Sequence, residues 1–198
     1  MPRLSSKGRY IKEVFELYKK RGLNLNMEQI AEELSITKKT LYNNFSSKEE
    51  MLHTVVDHFF FDLESKILDL VNNSKNAIEA MIRINATIGK EIDELGSVLL
   101  NDLSEEDLDV FAHSNRSSFY SKVIRDNLQK GMEEKLYRKN LNIEYTTLFY
   151  TSAIELFYKK GHLYKHVKSS GVFHSELIKH HLYSIVNDEG RNILESYL

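Results

Sequence analysis

The sequence predicts an all-α protein, and three observations carry that prediction. Its 198 residues include only eight glycines and one proline. The chain also lacks the Asn-Gly and Asp-Gly pairs that close tight β-hairpins. Apolar residues instead recur three or four positions apart, as in the segment from Met51 to Ile67. Because 41% of the residues are hydrophobic and 28% are charged, a folded helical protein is expected rather than a disordered one.

Three short helices are predicted in the first fifty residues, spanning residues 10–20, 27–34 and 38–45. Gly22 ends the first helix, and Asn26 begins the second with Gln29 as its capping-box partner. A three-residue turn separates the second helix from the third. Ser47 and Glu50 form a second capping box, which starts a long fourth helix. Two short helices joined by a tight turn behind a supporting helix predict a helix-turn-helix.

Longer helices are predicted in the rest of the chain. Apolar seams indicate that the fourth helix continues to about residue 67. Further seams indicate four more helices, over 78–95, 110–132, 143–160 and 173–186. We therefore expect two domains, a helix-turn-helix domain over 1–50 and a larger helical domain over 51–198.

Residues 1–50 hold ten Lys and Arg against seven Asp and Glu, whereas residues 51–198 hold seventeen against twenty-two. The net charge of −2 thus combines a basic first domain with an acidic second one.

Several functional classes are excluded by composition. Without cysteine the chain forms no disulfide, iron–sulfur cluster or thiolate zinc site. The pair His162 and His166 has metal-binding spacing, but zinc needs a third or fourth ligand, so no metal is predicted. No phosphate-binding glycine loop, nucleophile elbow or metalloprotease motif is present, so we expect no cofactor and no enzymatic activity. No secretory signal or 18-residue apolar run appears, so a cytoplasmic protein without membrane contact is expected.

The helix-turn-helix residues also have the charge pattern of a DNA-binding protein. Ala31 is small enough for the helices to cross, Ser35 lies in the turn, and Leu41 and Phe45 supply the packing. Lysines occupy the first turn of the third helix, at Lys38 and Lys39, and open the fourth, at Lys48. The helix macrodipole disfavours lysine there by about 0.3–1 kcal/mol, whereas a phosphate crossing these helix ends would favour it. The alternative is that these are solvated surface lysines.

Residues 30–45, IAEELSITKKTLYNNF, followed by Ser47, Lys48 and Glu49, resemble the signature of TetR-type transcriptional regulators. With the preceding segment from Tyr10 to Gly22, the resemblance covers about residues 9–52, a quarter of the chain. The sequence departs from the family pattern at three positions, with Ser35 replacing glycine, Lys39 replacing a small residue and Asn44 replacing an aromatic residue or histidine.

The resemblance implies a residue-by-residue DNA interface. Thr37 caps the recognition helix and touches phosphate, Tyr42 and Lys48 clamp phosphates, and Asn26 adds a phosphate contact. The outward-facing residues expected to contact base edges and nearby backbone are Lys38, Lys39, Thr40 and Asn43. The partner implied is a double-stranded DNA operator of near-palindromic sequence.

The resemblance further implies that the second domain binds a small-molecule effector and forms a homodimer. Polar residues interrupt its apolar seams, and buried polar groups are unfavourable by about 1–3 kcal/mol each unless they are paired. These residues therefore either pair with one another or contact the effector. The predicted effector site consists of Phe60, Met81, Asn85, His113, Ser117, Phe119 and Tyr120.

Apolar stripes on the last two long helices predict a four-helix dimer interface. The residues of these stripes are Tyr145, Leu148, Phe149, Ser152, Leu156, Leu177, Ile178, Leu182 and Ile185. The alternative is that the stripes pack within their own domain. Together these features predict a ligand-responsive transcriptional regulator, and the resemblance implies a repressor rather than an activator. The competing hypothesis is a helical protein–protein interaction module that keeps the helix-turn-helix shape without binding DNA.

Overall fold

Helices make up the regular secondary structure of the described part of the chain, which contains no strands and a single isolated bridge between Tyr137 and Val186. The computed structural model describes residues 6–95, 116–160 and 170–198. In these segments the helices are α1 (Ser6–Arg21), α2 (Met27–Glu33), α3 (Lys38–Tyr42), α4 (Lys48–Asn72), α5 (Ala77–Asp93), α6 (Arg116–Glu133), α7 (Ile143–Lys160), α8 (Ser170–Ile185) and α9 (Asp188–Glu195). The predicted all-α fold is confirmed.

The helix bounds differ from the predicted ones at several ends. Helix α1 begins four residues before the predicted start, and α3 ends at Tyr42 rather than at Phe45. Helix α9 was not predicted at all; Asn187 caps it by accepting a hydrogen bond from the amide of Gly190 at 2.9 Å. The first part of the helix predicted over 110–132, together with His113, His162 and His166, lies outside the described residues.

The chain divides into two compact units after Ser65. Unit 1 contains the described residues up to Ser65 together with Glu94 and Leu95, and unit 2 contains the remaining described residues. The predicted domain boundary after residue 50 stays a prediction.

The core of unit 1 is formed by one face of each of its helices. Its largest fully buried side chains are Tyr18, Phe45, Ile30, Leu41, Met51 and Leu63. The rings of Phe15 and Phe59 lie 5.5 Å apart beside this core. Burial raises the pKa of the Tyr18 hydroxyl, which keeps that group neutral.

The core of unit 2 joins α5, α6, α7, α8 and α9. It is an apolar cluster of Ala77, Ile78, Met81, Ile124, Leu128, Leu136, Tyr137, Tyr150, Ile178, Leu182, Ile185, Val186 and Leu194. Helices α5 and α8 approach closely, since a Cβ added to Gly89 would lie 2.7 Å from the Cα of Gly171. No described helix is long and apolar enough to cross a membrane.

Candidate nucleic-acid interface

The turn between α2 and α3 has the tight geometry that the sequence predicts. Ser35 adopts a left-handed backbone with φ of 53°. The amide of Ser35 donates to the carbonyl of Glu32, and the amide of Ile36 donates to the carbonyl of Ala31, both at 2.9 Å. Ala31 is buried at the helix crossing, as its small side chain predicts. The turn therefore reverses the chain within three residues and presents α3 at the surface.

Helix α2 begins with the predicted capping box. The Asn26 Oδ1 atom accepts hydrogen bonds from the amides of Glu28 and Gln29 at 3.0 Å each, and the Gln29 side chain accepts from the Asn26 amide at 2.9 Å. Asn26 is exposed at the start of the helix. Its side-chain amide group remains suited to a phosphate contact, because the capping bonds use its oxygen.

Helix α3 is five residues long and carries most of the predicted DNA contacts on an exposed surface. The Thr37 hydroxyl accepts from the Thr40 amide at 3.1 Å, which caps the helix as predicted. The hydroxyls of Thr37 and Thr40 lie 2.8 Å apart. Lys38, Lys39 and Asn43 are exposed. Tyr42 is 50% exposed, although it lies beside the fully buried Leu41.

Lys38 forms an ion pair that the sequence did not indicate. Its ammonium contacts the Glu28 carboxylate at the start of α2, and both side chains are exposed. Exposed ion pairs of this kind contribute little to stability, typically 0–1 kcal/mol. The pair therefore keeps the Lys38 ammonium near the start of α2, but it is weak enough for a DNA phosphate to replace the Glu28 carboxylate as the partner of Lys38.

Two residues that follow α3 have structural contacts of their own. The Lys48 ammonium donates to the carbonyl of Leu23, and two of its three N–H donors remain for other acceptors. The Asn44 side chain donates to the carbonyl of Thr40 at 2.7 Å, and so it closes the end of α3. Leu41 and Phe45 are fully buried, which confirms their predicted place in the core.

The start of α4 is held by a hydrogen-bond network. The Ser47 hydroxyl accepts from the Glu50 amide at 3.0 Å, while the Glu50 carboxylate accepts from the Ser46 hydroxyl and amide at 2.7 and 2.6 Å. The hydrogen bonds from Ser46 lower the pKa of Glu50. The positive charge of Lys7, whose Nζ atom lies 3.5 Å from Glu50 Oε1, acts in the same direction. The predicted box at this site thus forms with Ser46, rather than Ser47, as the donor to Glu50.

The helix-turn-helix segment and most of the chain are similar to known regulatory proteins. Residues 11–55 match the family model of the bacterial regulatory proteins, tetR family. The curated HTH-type transcriptional regulator YvaF of Bacillus subtilis (strain 168), itself uncharacterised, is 25% identical over 167 residues, which cover 82% of this chain and 86% of YvaF. Residues 11–55 are thus similar to the tetR family of bacterial regulatory proteins, and most of the chain is similar to an HTH-type transcriptional regulator.

Solved structures of transcriptional regulators share the fold of this chain. A transcriptional regulator from Cytophaga hutchinsonii has a TM-score of 0.75 and 15% identity, with 90% of this chain and 97% of that chain covered. FadR from Bacillus subtilis, solved in complex with stearoyl-CoA, has a TM-score of 0.65 and 13% identity, with 86% and 95% covered. The similarity therefore extends beyond the helix-turn-helix to the helical domain that follows it.

The predicted effector residues that the structure describes belong to both units. Met81 and Asn85 are buried in unit 2 on α5. Phe60 belongs to unit 1, where its ring packs edge-on against Phe59. Phe119 and Tyr120 are half-buried on α6 and pack edge-on with each other. His113 and the side chain of Ser117 lie outside the described residues.

Asn85 is the centre of a buried polar cluster whose other members the sequence analysis missed. Its Oδ1 atom accepts a hydrogen bond from the Tyr150 hydroxyl and lies 3.2 Å from His174 Nδ1. Its amide group donates to the Met81 carbonyl at 2.9 Å. The His181 ring packs against Tyr150 with ring centroids 4.4 Å apart and planes tilted by 42°. The seven-residue spacing of His174 and His181, which places both on one face of α8, could have revealed the cluster.

The cluster is uncharged near neutral pH. Burial lowers the pKa of His174 to about 4, although the charge of Asp93 acts in the opposite direction. Burial alone lowers the pKa of His181 to about 4. Both imidazoles are therefore neutral at pH 7. No group of three or more metal-ligating side chains occurs among the described residues.

The predicted dimer residues separate into two sets. The residues of α7, namely Tyr145, Leu148, Phe149, Ser152 and Leu156, are exposed. On α8 the prediction is corrected for Ile178, Leu182 and Ile185, because these side chains are buried in the core of unit 2, and Leu177 packs half-buried against the same core. Helix α8 instead exposes Val172 and Tyr183.

Proposed function

We propose that this regulator binds a near-palindromic operator as a homodimer and that a small-molecule effector releases it from the DNA. The observation that carries the proposal is the exposed surface of α3, where Lys38 and Lys39 occupy a helix N-terminus beside a half-exposed Tyr42. Positive side chains and free amide groups at one helix end together favour a phosphate backbone. The interaction-module hypothesis gives no reason for lysines at this end of the helix.

The effector response and the dimer have separate support. The buried polar cluster around Asn85 supplies groups that an effector can contact, and the exposed apolar face of α7 supplies a surface that a second subunit can cover. The FadR structure with stearoyl-CoA is a precedent for ligand binding on this fold. We further propose that the protein works in the cytoplasm, as a binding protein without a catalysed reaction.

Binding to a selected DNA duplex tests the proposal. A palindromic duplex enriched from a random library by rounds of binding to the full chain is titrated by fluorescence anisotropy at several salt concentrations. We expect affinity to fall steeply with salt, and Lys39→Glu to weaken binding by more than about tenfold because it reverses a charge at the phosphate backbone. Lys122→Glu, on the exposed surface of α6, is the matched control and should bind within about twofold of the unmodified protein.

The ion pair between Lys38 and Glu28 provides a second test, because substitutions of its two members should change DNA affinity in opposite directions. Glu28→Gln removes the carboxylate that faces Lys38, so we expect DNA binding to strengthen by about two- to fivefold. Lys38→Glu should weaken binding by more than about tenfold. If neither duplex enrichment nor a charge-dependent affinity is obtained with folded protein, the DNA-binding proposal is wrong and the interaction-module hypothesis gains support.

A further inference from the structure

Unit 2 contains two buried polar atoms that have no hydrogen-bond partner among the described residues. They are the Thr147 hydroxyl oxygen on α7 and the Nε2 atom of His181 on α8. Thr147 is only 4% exposed and His181 only 9% exposed. Unpaired polar atoms at this depth are rare in native proteins, and a bound partner is one explanation for them.

Both atoms belong to helices that also supply members of the Asn85 cluster, since Tyr150 lies on α7 and His174 on α8. Thr147 and Tyr150 are three residues apart on α7, so they lie on the same face of that helix. Tyr150 contacts both His181, through its ring, and Asn85, through its hydroxyl. Helices α5, α7 and α8 therefore bring a set of neutral hydrogen-bonding side chains together inside unit 2.

The surroundings of the cluster disfavour an ionic ligand. Its members are amide, hydroxyl and neutral imidazole groups, and no Lys or Arg side chain is buried among the described residues. The neighbouring carboxylate of Asp93 is exposed and accepts a hydrogen bond from the Gly171 amide at 2.9 Å. A carboxylate or phosphate would therefore enter this region without a counter-charge, and an ammonium would lose its hydration there.

Aromatic rings adjoin the cluster. Phe157 on α7 and Phe173 on α8 stack with centroids 3.7 Å apart and planes within 5°. Phe173 in turn packs edge-on against His174 at 5.5 Å. A ligand group bonded to the polar atoms would lie beside flat apolar surfaces that suit a ring.

We propose that this region binds the hydroxyl or carbonyl group of an uncharged, ring-containing effector, with Thr147 and His181 supplying the hydrogen bonds. The inference rests on the proposed effector response and names the ligand class of that site. Thr147 Oγ1 can donate or accept a hydrogen bond, and His181 Nε2 can do either according to its tautomer. Each of these atoms can therefore bond to a hydroxyl or to a carbonyl group.

Three probes with the same ring system test the ligand class. The full chain is titrated at pH 7.5, without DNA, with 2-naphthol, 2-naphthoate and 2-naphthylmethylammonium, and binding is measured by calorimetry. We expect 2-naphthol to bind at least about tenfold more tightly than either ion, because only the neutral group avoids a buried charge. Tighter or equal binding of an ion, or no binding of 2-naphthol, would overturn the proposal.

Three variants test the atoms. Thr147→Val keeps the side-chain shape and His181→Phe keeps an aromatic ring, but each removes an unpaired atom, so each should weaken 2-naphthol binding by about five- to tenfold. Thr151→Val is the matched control, since the Thr151 hydroxyl already donates to the Thr147 carbonyl at 3.0 Å, and it should bind normally. Unchanged ligand affinity in both Thr147→Val and His181→Phe, with folded protein, would also overturn the proposal.

The readouts separate this inference from the proposed function. Ligand affinity is measured without DNA, so a failure here leaves the operator-binding experiments unaffected. If 2-naphthol binds as expected but does not release the enriched duplex, the site is supported and the proposed effector response is wrong.

Discussion

Ser35 adopts a backbone conformation that most side chains avoid. Its φ of 53° places it in the left-handed region, where a residue with a Cβ atom is disfavoured by about 1–2 kcal/mol. The amide of Ile36 bonds to the Ala31 carbonyl only when the chain turns this sharply, so the turn maintains the strain. The arrangement of α2 and α3 therefore depends on a locally unfavourable residue.

Replacing Ser35 with glycine should relieve this strain. We expect Ser35→Gly to raise the free energy of unfolding by about 0.5–1 kcal/mol, after allowing for the greater entropy of glycine in the unfolded chain. Urea denaturation of the full chain measures the change. Ser65→Gly, within α4, serves as the opposite control and should lower stability by about 0.5 kcal/mol, because glycine weakens a helix interior. Equal effects of both substitutions would show that the turn carries no strain.

Individual residues in the helix-turn-helix could be assigned from sequence where their role depends on near neighbours. Asn26 and Gln29 form their capping box three residues apart, and Thr37 caps α3 in the same way. Contacts between distant residues could not be derived, because they depend on how the helices pack. The bond from Lys48 to the Leu23 carbonyl and the ion pair of Lys38 with Glu28 are of this kind.

Helix α5 and helix α8 pack closely because both have glycine at their contact. A methyl group on Gly89 would lie 2.7 Å from the backbone of Gly171, which is well inside van der Waals contact. The same two helices supply Asn85 and His174 to the polar cluster, whose atoms lie 3.2 Å apart. Close packing of the helices is therefore a condition for the cluster to form.

Gly89→Ala should force the two helices apart. We expect the free energy of unfolding to fall by about 1–2 kcal/mol, since overpacking outweighs the better helix propensity of alanine. Thermal and urea unfolding measure this loss. Ala86→Ser, on the exposed side of α5, should change stability by less than about 0.5 kcal/mol. A Gly89→Ala variant as stable as the unmodified protein would contradict the close contact.

Helices with long apolar seams were predicted well, whereas short or terminal ones were not. The eight residues of α9 bury only Gly190 and Leu194 fully, so their apolar pattern is too brief to stand out. On α8, periodicity identified an apolar stripe but could not tell which neighbour covers it. The stripe packs into the core of unit 2, and so Ile178, Leu182 and Ile185 are excluded from the dimer surface.

The stability of the whole molecule should depend on pH through its two buried histidines. Burial lowers the pKa of His174 and His181 to about 4 from an ordinary value of 6.5. Each therefore contributes stability that is present above about pH 6.5 and is lost as the pH falls toward 4, because the unfolded chain takes up the protons first. Within this window the slope approaches about 1.4 kcal/mol per pH unit for each histidine.

Urea unfolding at pH 7.5, 6.0 and 5.0 measures this slope. His181→Phe keeps a ring beside Tyr150 and cannot be protonated, so stability should fall less steeply on acidification. The exposed neighbour His180, changed to Gln, is the control and should leave the slope as it is. An unchanged slope in His181→Phe would mean that the acid sensitivity arises elsewhere.

We propose that two subunits assemble through the exposed face of α7. Its apolar side chains include Phe149, which is 74% exposed, and an apolar stripe of this length is unfavourable in water unless another surface covers it. If a second copy covers it, one charge at its centre should disrupt the dimer, since a carboxylate would be buried without a partner. The operator affinity of the dimer should fall with it, because each subunit then binds its half-site independently.

Phe149→Glu should therefore be a folded monomer that binds the enriched palindrome at least about tenfold more weakly, while its affinity for an isolated half-site is unchanged. Analytical ultracentrifugation at micromolar concentration measures the assembly, and anisotropy measures both duplexes. Phe61→Glu is the matched control because Phe61 is 66% exposed on α4, outside the stripe, so this variant should remain dimeric. If the unmodified protein is a monomer, or if Phe149→Glu still dimerises, the α7 face does not join the subunits and the near-palindromic operator loses its structural basis.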